Sequence, residues 1–404
     1  MSSINLKTNI ITTILSKSLI LLLNFAVLVL TTQLWGAEGK GAVAIFVADL
    51  SLISIFANVF TGCSVSYYFA KQADSKLSTM AYLWSFVVAT AGACVLWVTG
   101  EHAIAPFIFV TASLMGLMAF QNSLFIGGQK ISYYNLITVL QPALLLLCML
   151  LCYFWWPQWG YYCYFVGQTF SLALILLVCI VLRRKMGVRL RWGFDYSCSR
   201  QLFSYGWKSE LGTLLQFFNY RLTYFILDYY IGRESLGVFS VGVTIAEAIW
   251  VVNRSMSMVQ YSNVLKQGNT RQSRKETLIL ALISLGISAV CVLVIVMLPS
   301  SLFSFVFGAE FGQVNRVVLI LSPGILAMAF SNVLDNYFSA IRHLNVQILK
   351  SAVVLVFTFA LALWLIPRYG IDGACVVNAA SYVMSAAILM IYFLSKKAPR
   401  DIHE

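Results

Sequence analysis

The sequence predicts an all-α integral membrane protein of about twelve transmembrane helices, built as two six-helix halves around a central cavity. Three observations predict it: the scarcity of charge, the spacing of the apolar runs, and the one-sided distribution of lysine and arginine. The chain has 404 residues, 60% of them hydrophobic and only 10% charged. Soluble domains carry about 25% charged residues. So little charge cannot cover an aqueous surface this large, so lipid must be the solvent for most of it. A span takes about 20 mostly apolar residues, which allows roughly a dozen spans with short connections.

Runs that are apolar throughout show no useful period, so the spans are placed by what interrupts them. The first run, 10–34, follows a single early cation, Lys7. It is too long for a signal-peptide core and no A-x-A site follows it, so it reads as a retained span. Gly36 and Gly41 separate it from 42–70, after which Lys71 and Lys76 precede 79–99 and then 104–126. Gly127 and Gly128 end the fourth span, and an aromatic turn from Trp155 to Gly160 parts 133–155 from 160–182. The longest connection, about 183–205, is basic. It puts the division between halves at 1–192 and 193–404. The second half reads as 206–231, 237–264, 277–298, 313–341, 347–366 and 371–394. Its breaks are Gly232 to Gly237, Pro299, and Pro367 to Gly373. No connection is long enough for a folded extramembrane domain.

Charge placement orients the spans. With an even number of spans both termini share a side, and 20 of the 27 lysines and arginines fall there. Among them are Lys130, Arg183, Arg184, Lys185, Arg274, Lys275 and Lys350. Four lie opposite: Lys40, Arg233, Arg316 and Arg368. This asymmetry puts both termini in the cytoplasm. It also accounts for the net charge of +12 through topology, with no need for nucleic acid. The aromatic cluster of Tyr153, Phe154, Trp155, Trp156, Trp159, Tyr161 and Tyr162 reads as an interfacial belt, with a sugar contact as the alternative. The nine cysteines are scattered, mostly within apolar runs, without CxxC spacing, and the three histidines lie near connections. Neither residue type forms a ligand set, so no metal or other cofactor is expected.

The halves look related. Gly36 and Gly41 follow the first span as Gly232 and Gly237 follow the seventh, with the same five-residue separation. Six spans per half would make the repeats parallel, related by an axis along the membrane normal.

Four segments carry a family resemblance. LWGAEGKGAVAIF at 34–46 has its counterpart in YIGRESLGVFSV at 230–241. FGAEFG at 307–312 precedes a span containing SPGILAMAFSNVLDNYFSA at 322–340, and LIPRYGIDGACVV at 365–377 opens the last span. In this order, over nearly the whole chain, they resemble the Wzx-type polysaccharide flippases of the multidrug/oligosaccharidyl-lipid/polysaccharide exporter superfamily. That family often carries an acidic residue two positions after the arginine of span seven. Here the position is Thr223, and an acid, Asp228, comes later.

Charges inside spans mark the candidate site, because an ionised group at the bilayer centre costs about 2.5–3.5 kcal/mol on insertion scales. Lys17, Arg221 and Arg254 lie within three different spans. Arginine offers phosphate a forked set of donors, so these three are the candidate ligands for a pyrophosphate. Asn24, Gln216, Asn219 and Asn253 are candidate sugar contacts. Glu210, Asp228, Glu247 and Asp335 are candidate partners of the cations or coupling groups. Interhelical pairing that only fixes packing, for example Glu247 with an arginine of span seven, is the competing reading of each.

The resemblance implies a flippase in a bacterial inner membrane. Its substrate would be an undecaprenyl-pyrophosphate-linked oligosaccharide, moved to the outer leaflet for O-antigen, capsule or exopolysaccharide assembly. Proton or sodium coupling and partnership with a polysaccharide polymerase and a chain-length regulator belong to the same implication, and membrane lipids surround it. A multidrug or cation antiporter of the superfamily is the alternative, although cationic drugs favour buried acids over buried cations. A polysaccharide polymerase is the third reading. It would need a large outward loop, whereas the longest here, 300–311, has about a dozen residues. The chain therefore reads as a transporter and not as an enzyme.

Overall fold

The structure is a computed structural model that describes residues 3–71, 77–188, 193–267, 270–341 and 343–395. Of the flanking cations, Lys76, Arg189, Arg191, Arg342, Lys396, Lys397 and Arg400 lie outside the described residues. The described chain is helical throughout: α1 (Ser3–Thr61), α2 (Cys63–Lys71), α3 (Leu77–Val98), α4 (Ala105–Gly127), α5 (Ile131–Trp155), α6 (Tyr162–Lys185), α7 (Tyr196–Tyr230), α8 (Arg233–Gln267), α9 (Arg271–Met297), α10 (Ser300–Phe307), α11 (Val314–Ala340) and α12 (Leu344–Ser395). Short 3₁₀ turns, Pro157–Trp159 and Ala309–Gln313, precede α6 and α11.

Among the described residues, nine helices are long and apolar enough to cross a membrane. Two stretches, Ser16–Ala70 with 55 residues and Asn345–Ser395 with 51, are each long enough to cross twice. Each is broken at a glycine that no helix can hold in place: Gly36 at φ 63°, ψ −163° and Gly370 at φ 56°, ψ −127°. Crossings therefore number between nine and twelve, depending on whether these two are counted once or twice and whether the more polar, 35-residue α7 is included. The stretch 42–70, expected as one span, ends at Thr61. Gly62 donates its N–H to the Asn58 carbonyl at 2.8 Å, and α2 restarts at Cys63.

The chain packs as two compact units. The first holds residues 1–35 and 42–214; the second holds 36–41 and 215–404. In the first unit, Val27, Phe46, Ile53, Ala89, Ile108, Ala112, Met149 and Phe165 from five helices form one core. Phe46 stacks on Phe165 with ring centres 4.1 Å apart. In the second unit, α11 packs against α8, α9 and α12. Lipid gives helices no hydrophobic reason to associate, so small residues and side-chain hydrogen bonds hold these seams. Gly324 of α11 leaves room for Ala379 of α12. Asn253 donates to Ser288 (2.6 Å) and Gln260 to Thr277 (2.9 Å) between α8 and α9.

The two glycine pairs divide their work. Gly36 and Gly232, both at positive φ, make the turns. Gly41 and Gly237 sit one turn inside the following helices, where two backbones nearly touch. A β-carbon on Gly41 would lie 1.8 Å from the Arg233 carbonyl oxygen, and one on Gly237 would lie 1.9 Å from that of Ala37. All four residues belong to the second unit. The FGAEFG segment at 307–312 has a job here too: Glu310 accepts a hydrogen bond from the Ala37 N–H, capping the helix that starts after Gly36.

Candidate functional site

In the first unit, α1, α5 and α6 wall a cavity of about 460 Å³. The spacing of residues on each helix explains the lining. Lys17, Ile20 and Asn24 recur at three- and four-residue steps on one face of α1, as do Tyr134, Thr138, Gln141 and Leu145 on α5 and Tyr164 and Gln168 on α6. Pro142 lies inside α5 and lines the cavity beside them. It has no N–H to offer the Thr138 carbonyl four residues earlier, so that acceptor loses its helical donor. Asn135 and Ser16 complete the lining, which among the described residues holds one cation, Lys17, and no carboxylate. Lys17 and Asn24 are thus brought to one site.

Arg221 and Arg254 lie in the second unit, among rings. Arg221 of α7 forms an ion pair with Glu247 of α8 at 2.8 Å, with both side chains only partly exposed. The same Nη1 donates to the Tyr224 hydroxyl at 3.3 Å, and the guanidinium lies 4.8 Å from that ring's centre. Tyr382 approaches both Trp250 (5.3 Å) and Tyr220 (6.0 Å), extending the aromatic surface. Gln216 donates to the Tyr220 hydroxyl at 3.2 Å. Arg254 is exposed and acts electrostatically on Tyr220. It makes no ion pair among the described residues. Lys40, expected in an outward connection, is half-buried and close enough to Arg221 for the two cations to repel.

The remaining candidates are largely committed to helix seams. Asn219 donates to the Ser351 carbonyl at 3.1 Å, and Asn253 is fully buried against Ser288. Asp228 lies 3.5 Å from Arg233. Glu210, buried in the first unit, has its carboxylate beside Gly62, where α2 begins. Asp335 receives Lys350 on both carboxylate oxygens, at 2.8 and 2.7 Å, and Gln347 donates to its backbone carbonyl. Lys350, counted from sequence as a flanking cation, is instead 8% exposed within α12.

Sequence reasoning passed over Gln141, Gln168, Tyr220, Tyr224, Trp250 and Tyr382. The signals at hand were the amide of Gln141 immediately before Pro142, and the tyrosines immediately before and three residues after Arg221. Among the described residues no group of three or more His, Cys, Asp or Glu side chains could hold a metal ion.

Comparisons with known proteins bear on both units. The sequence profile described as "Polysaccharide biosynthesis protein" matches residues 6–261. The capsular polysaccharide biosynthesis protein CapF of Staphylococcus aureus is 24% identical over 255 residues, covering 59% of this chain and 63% of that one. The match therefore spans less than two thirds of that relative. Among solved structures, the lipid II flippase MurJ in an inward closed conformation superposes with a TM-score of 0.77 at 11% identity, covering 96% of this chain and 87% of that one. An inward-facing multidrug resistance transporter of the MATE family superposes with a TM-score of 0.74 at 12% identity, covering 95% and 97%. At these identities the likeness is one of fold.

Proposed function

This chain belongs to the polysaccharide biosynthesis protein family, and on that premise we propose that it is a flippase for lipid-linked oligosaccharides. It carries an undecaprenyl-pyrophosphate-linked unit from the inner to the outer leaflet by alternating access, across twelve spans in two parallel six-helix repeats, with both termini cytoplasmic. The observation that carries this reading is the chemistry of the cavity in the first unit. Among the described residues its lining combines one ammonium, Lys17, with neutral amides, hydroxyls and aromatic rings, and no carboxylate. Such a lining suits a phosphate with sugars attached and offers a cationic drug no counter-charge. Lys17, Arg221 and Arg254 serve as the pyrophosphate's cations. The carboxylate of Glu247 holds Arg221 while no substrate is bound, and an exchangeable proton on such an acid is the coupling ion.

A multidrug antiporter is the second reading, favoured by the fold shared with multidrug transporters. Against it, Asp228, Glu247 and Asp335 each face a cation of the protein itself. One experiment separates the two: delete the gene and measure lipid-linked intermediates on each leaflet alongside drug susceptibility. The flippase reading expects intermediates to accumulate on the inner leaflet with susceptibility unchanged. Drug sensitivity with normal leaflet distribution would sink it.

A further inference from the structure

We propose that the cavity walled by α1, α5 and α6 is a saccharide subsite, taking the sugar that adjoins the lipid's phosphates. The proposal rests on the reading of a lipid-linked saccharide substrate and deepens it by naming what this cavity recognises. The volume of about 460 Å³ falls in the range of small-molecule sites, about 300–1,000 Å³. It has room for one or two pyranose rings and not for a whole lipid-linked oligosaccharide.

The polar groups are of the right kind for a sugar. Gln141 and Gln168 each present a carbonyl and an NH₂, so each can accept from one ring hydroxyl and donate to another. Thr138 adds the backbone carbonyl that Pro142 deprives of its helical donor. Tyr164 supplies an apolar face for the C–H side of a pyranose. Gln168 is 9% exposed and lines the cavity. A ligand hydroxyl would pair its amide in place of the water that the ligand displaces. Lys17 is the sole charge in the lining among the described residues. A phosphate held there places its attached sugar against α5 and α6.

This moves sugar recognition away from Asn219 and Asn253, whose amides already serve helix seams. It also makes the first sugar, and not the distal ones, the part of the substrate that the first unit selects.

The test uses the full chain, purified in lipid nanodiscs. Its probes are bare undecaprenyl pyrophosphate and undecaprenyl pyrophosphates bearing a single glucose, galactose or N-acetylglucosamine. At least one sugar-bearing probe should bind more tightly than the bare one. Gln141→Ala and Gln168→Ala should each weaken that probe about three- to tenfold, the worth of one neutral hydrogen bond. Neither should change binding of the bare probe, which also reports that the variant is folded. Lys17→Ala should weaken both probes. If Gln168→Ala does not reach the membrane, the half-buried Gln141 carries the test alone. If the glutamine variants weaken bare and sugared probes alike, or neither, the subsite is overturned while the lipid-linked substrate stands. If the wild-type protein binds no probe, the flippase reading itself falls and the subsite falls with it.

Discussion

Gly237 stands so close to Ala37 that a β-carbon on it would lie 1.9 Å from the Ala37 carbonyl oxygen. Gly41 stands in the same relation to Arg233, at 1.8 Å. Ala37 and Arg233 hold matching places after the turn glycines Gly36 and Gly232, and Gly41 and Gly237 hold matching places four residues on. The two contacts are therefore one contact made twice with the partners exchanged, which is what a two-fold relation between two helix starts produces. A shared ancestral repeat would make such a contact.

Replacing either glycine with alanine should therefore be far worse than helix propensity alone suggests. Alanine normally favours a helix over glycine by about 1 kcal/mol. Here its methyl would have to push a backbone carbonyl aside, and overpacking of this kind costs about 1–3 kcal/mol or more. Thermal unfolding in detergent should show Gly41→Ala and Gly237→Ala both destabilised, while Gly286→Ala, with nothing within 4 Å of its added carbon, should be neutral or better. Equal melting temperatures for all three would remove the crossing as a structural element.

Asp335 and Lys350 make a second testable pair. The ammonium bridges both carboxylate oxygens and is nearly sealed from solvent. Removing one partner of a buried pair strands the other charge and costs about 3–5 kcal/mol. Asp335→Asn and Lys350→Met should each approach that loss in unfolding experiments. The double variant should recover most of it, because no stranded charge remains. Additive losses would mean that the two groups do not stabilise each other.

Much of the fold was legible because glycine and proline act locally. The breaks at Gly36, Gly127, Pro299 and Gly370 coincide with helix ends or turns. The bend at Gly62 was not legible: a single glycine in an apolar run looks the same whether it packs or breaks. Charge counting could not show that Lys350 is paired, because only the approach of α11 and α12 brings Asp335 within its reach. Asn253 was a candidate sugar contact because it is polar within a span. Polarity alone cannot tell whether a side chain meets a cavity or a neighbouring helix, and the structure places Asn253 against Ser288. Lys17 and Asn24, seven residues apart on α1, do reach a cavity. Its other walls were missed because uncharged amides such as Gln141 carry no cost signal as strong as a buried charge.

The inside-positive arrangement of lysine and arginine is checked by labelling. Single cysteines at Lys130, Gln158 and Arg368 test three connections. The nine native cysteines are all free, and Cys63 and Cys94 are exposed, so the background must be cysteine-free. A membrane-impermeant maleimide should leave the Lys130 position unlabelled in intact cells and label the other two. The reverse pattern at all three would invert the topology.

The Arg221–Glu247 pair separates a binding role from a packing role. Its 2.8 Å contact is made by side chains 26% and 32% exposed, so solvent moderates its strength to about 1–2 kcal/mol. If the pair only fixes α7 against α8, then Arg221→Gln and Glu247→Gln lose similar stability and similar activity. If Arg221 is a phosphate ligand held in reserve by Glu247, the two variants part company in binding. Arg221→Gln removes the ligand, so affinity for bare undecaprenyl pyrophosphate should fall, and Arg221→Lys should keep part of it by retaining the charge without the fork. Glu247→Gln removes the competitor for the same guanidinium, so affinity should rise by about tenfold for about 1.4 kcal/mol of competition relieved, while transport slows because release becomes harder. Opposite shifts in affinity at equal loss of stability assign the phosphate to Arg221. Parallel losses assign the pair to packing and leave the exposed Arg254 and the half-buried Lys40 as the cations to examine next in this unit.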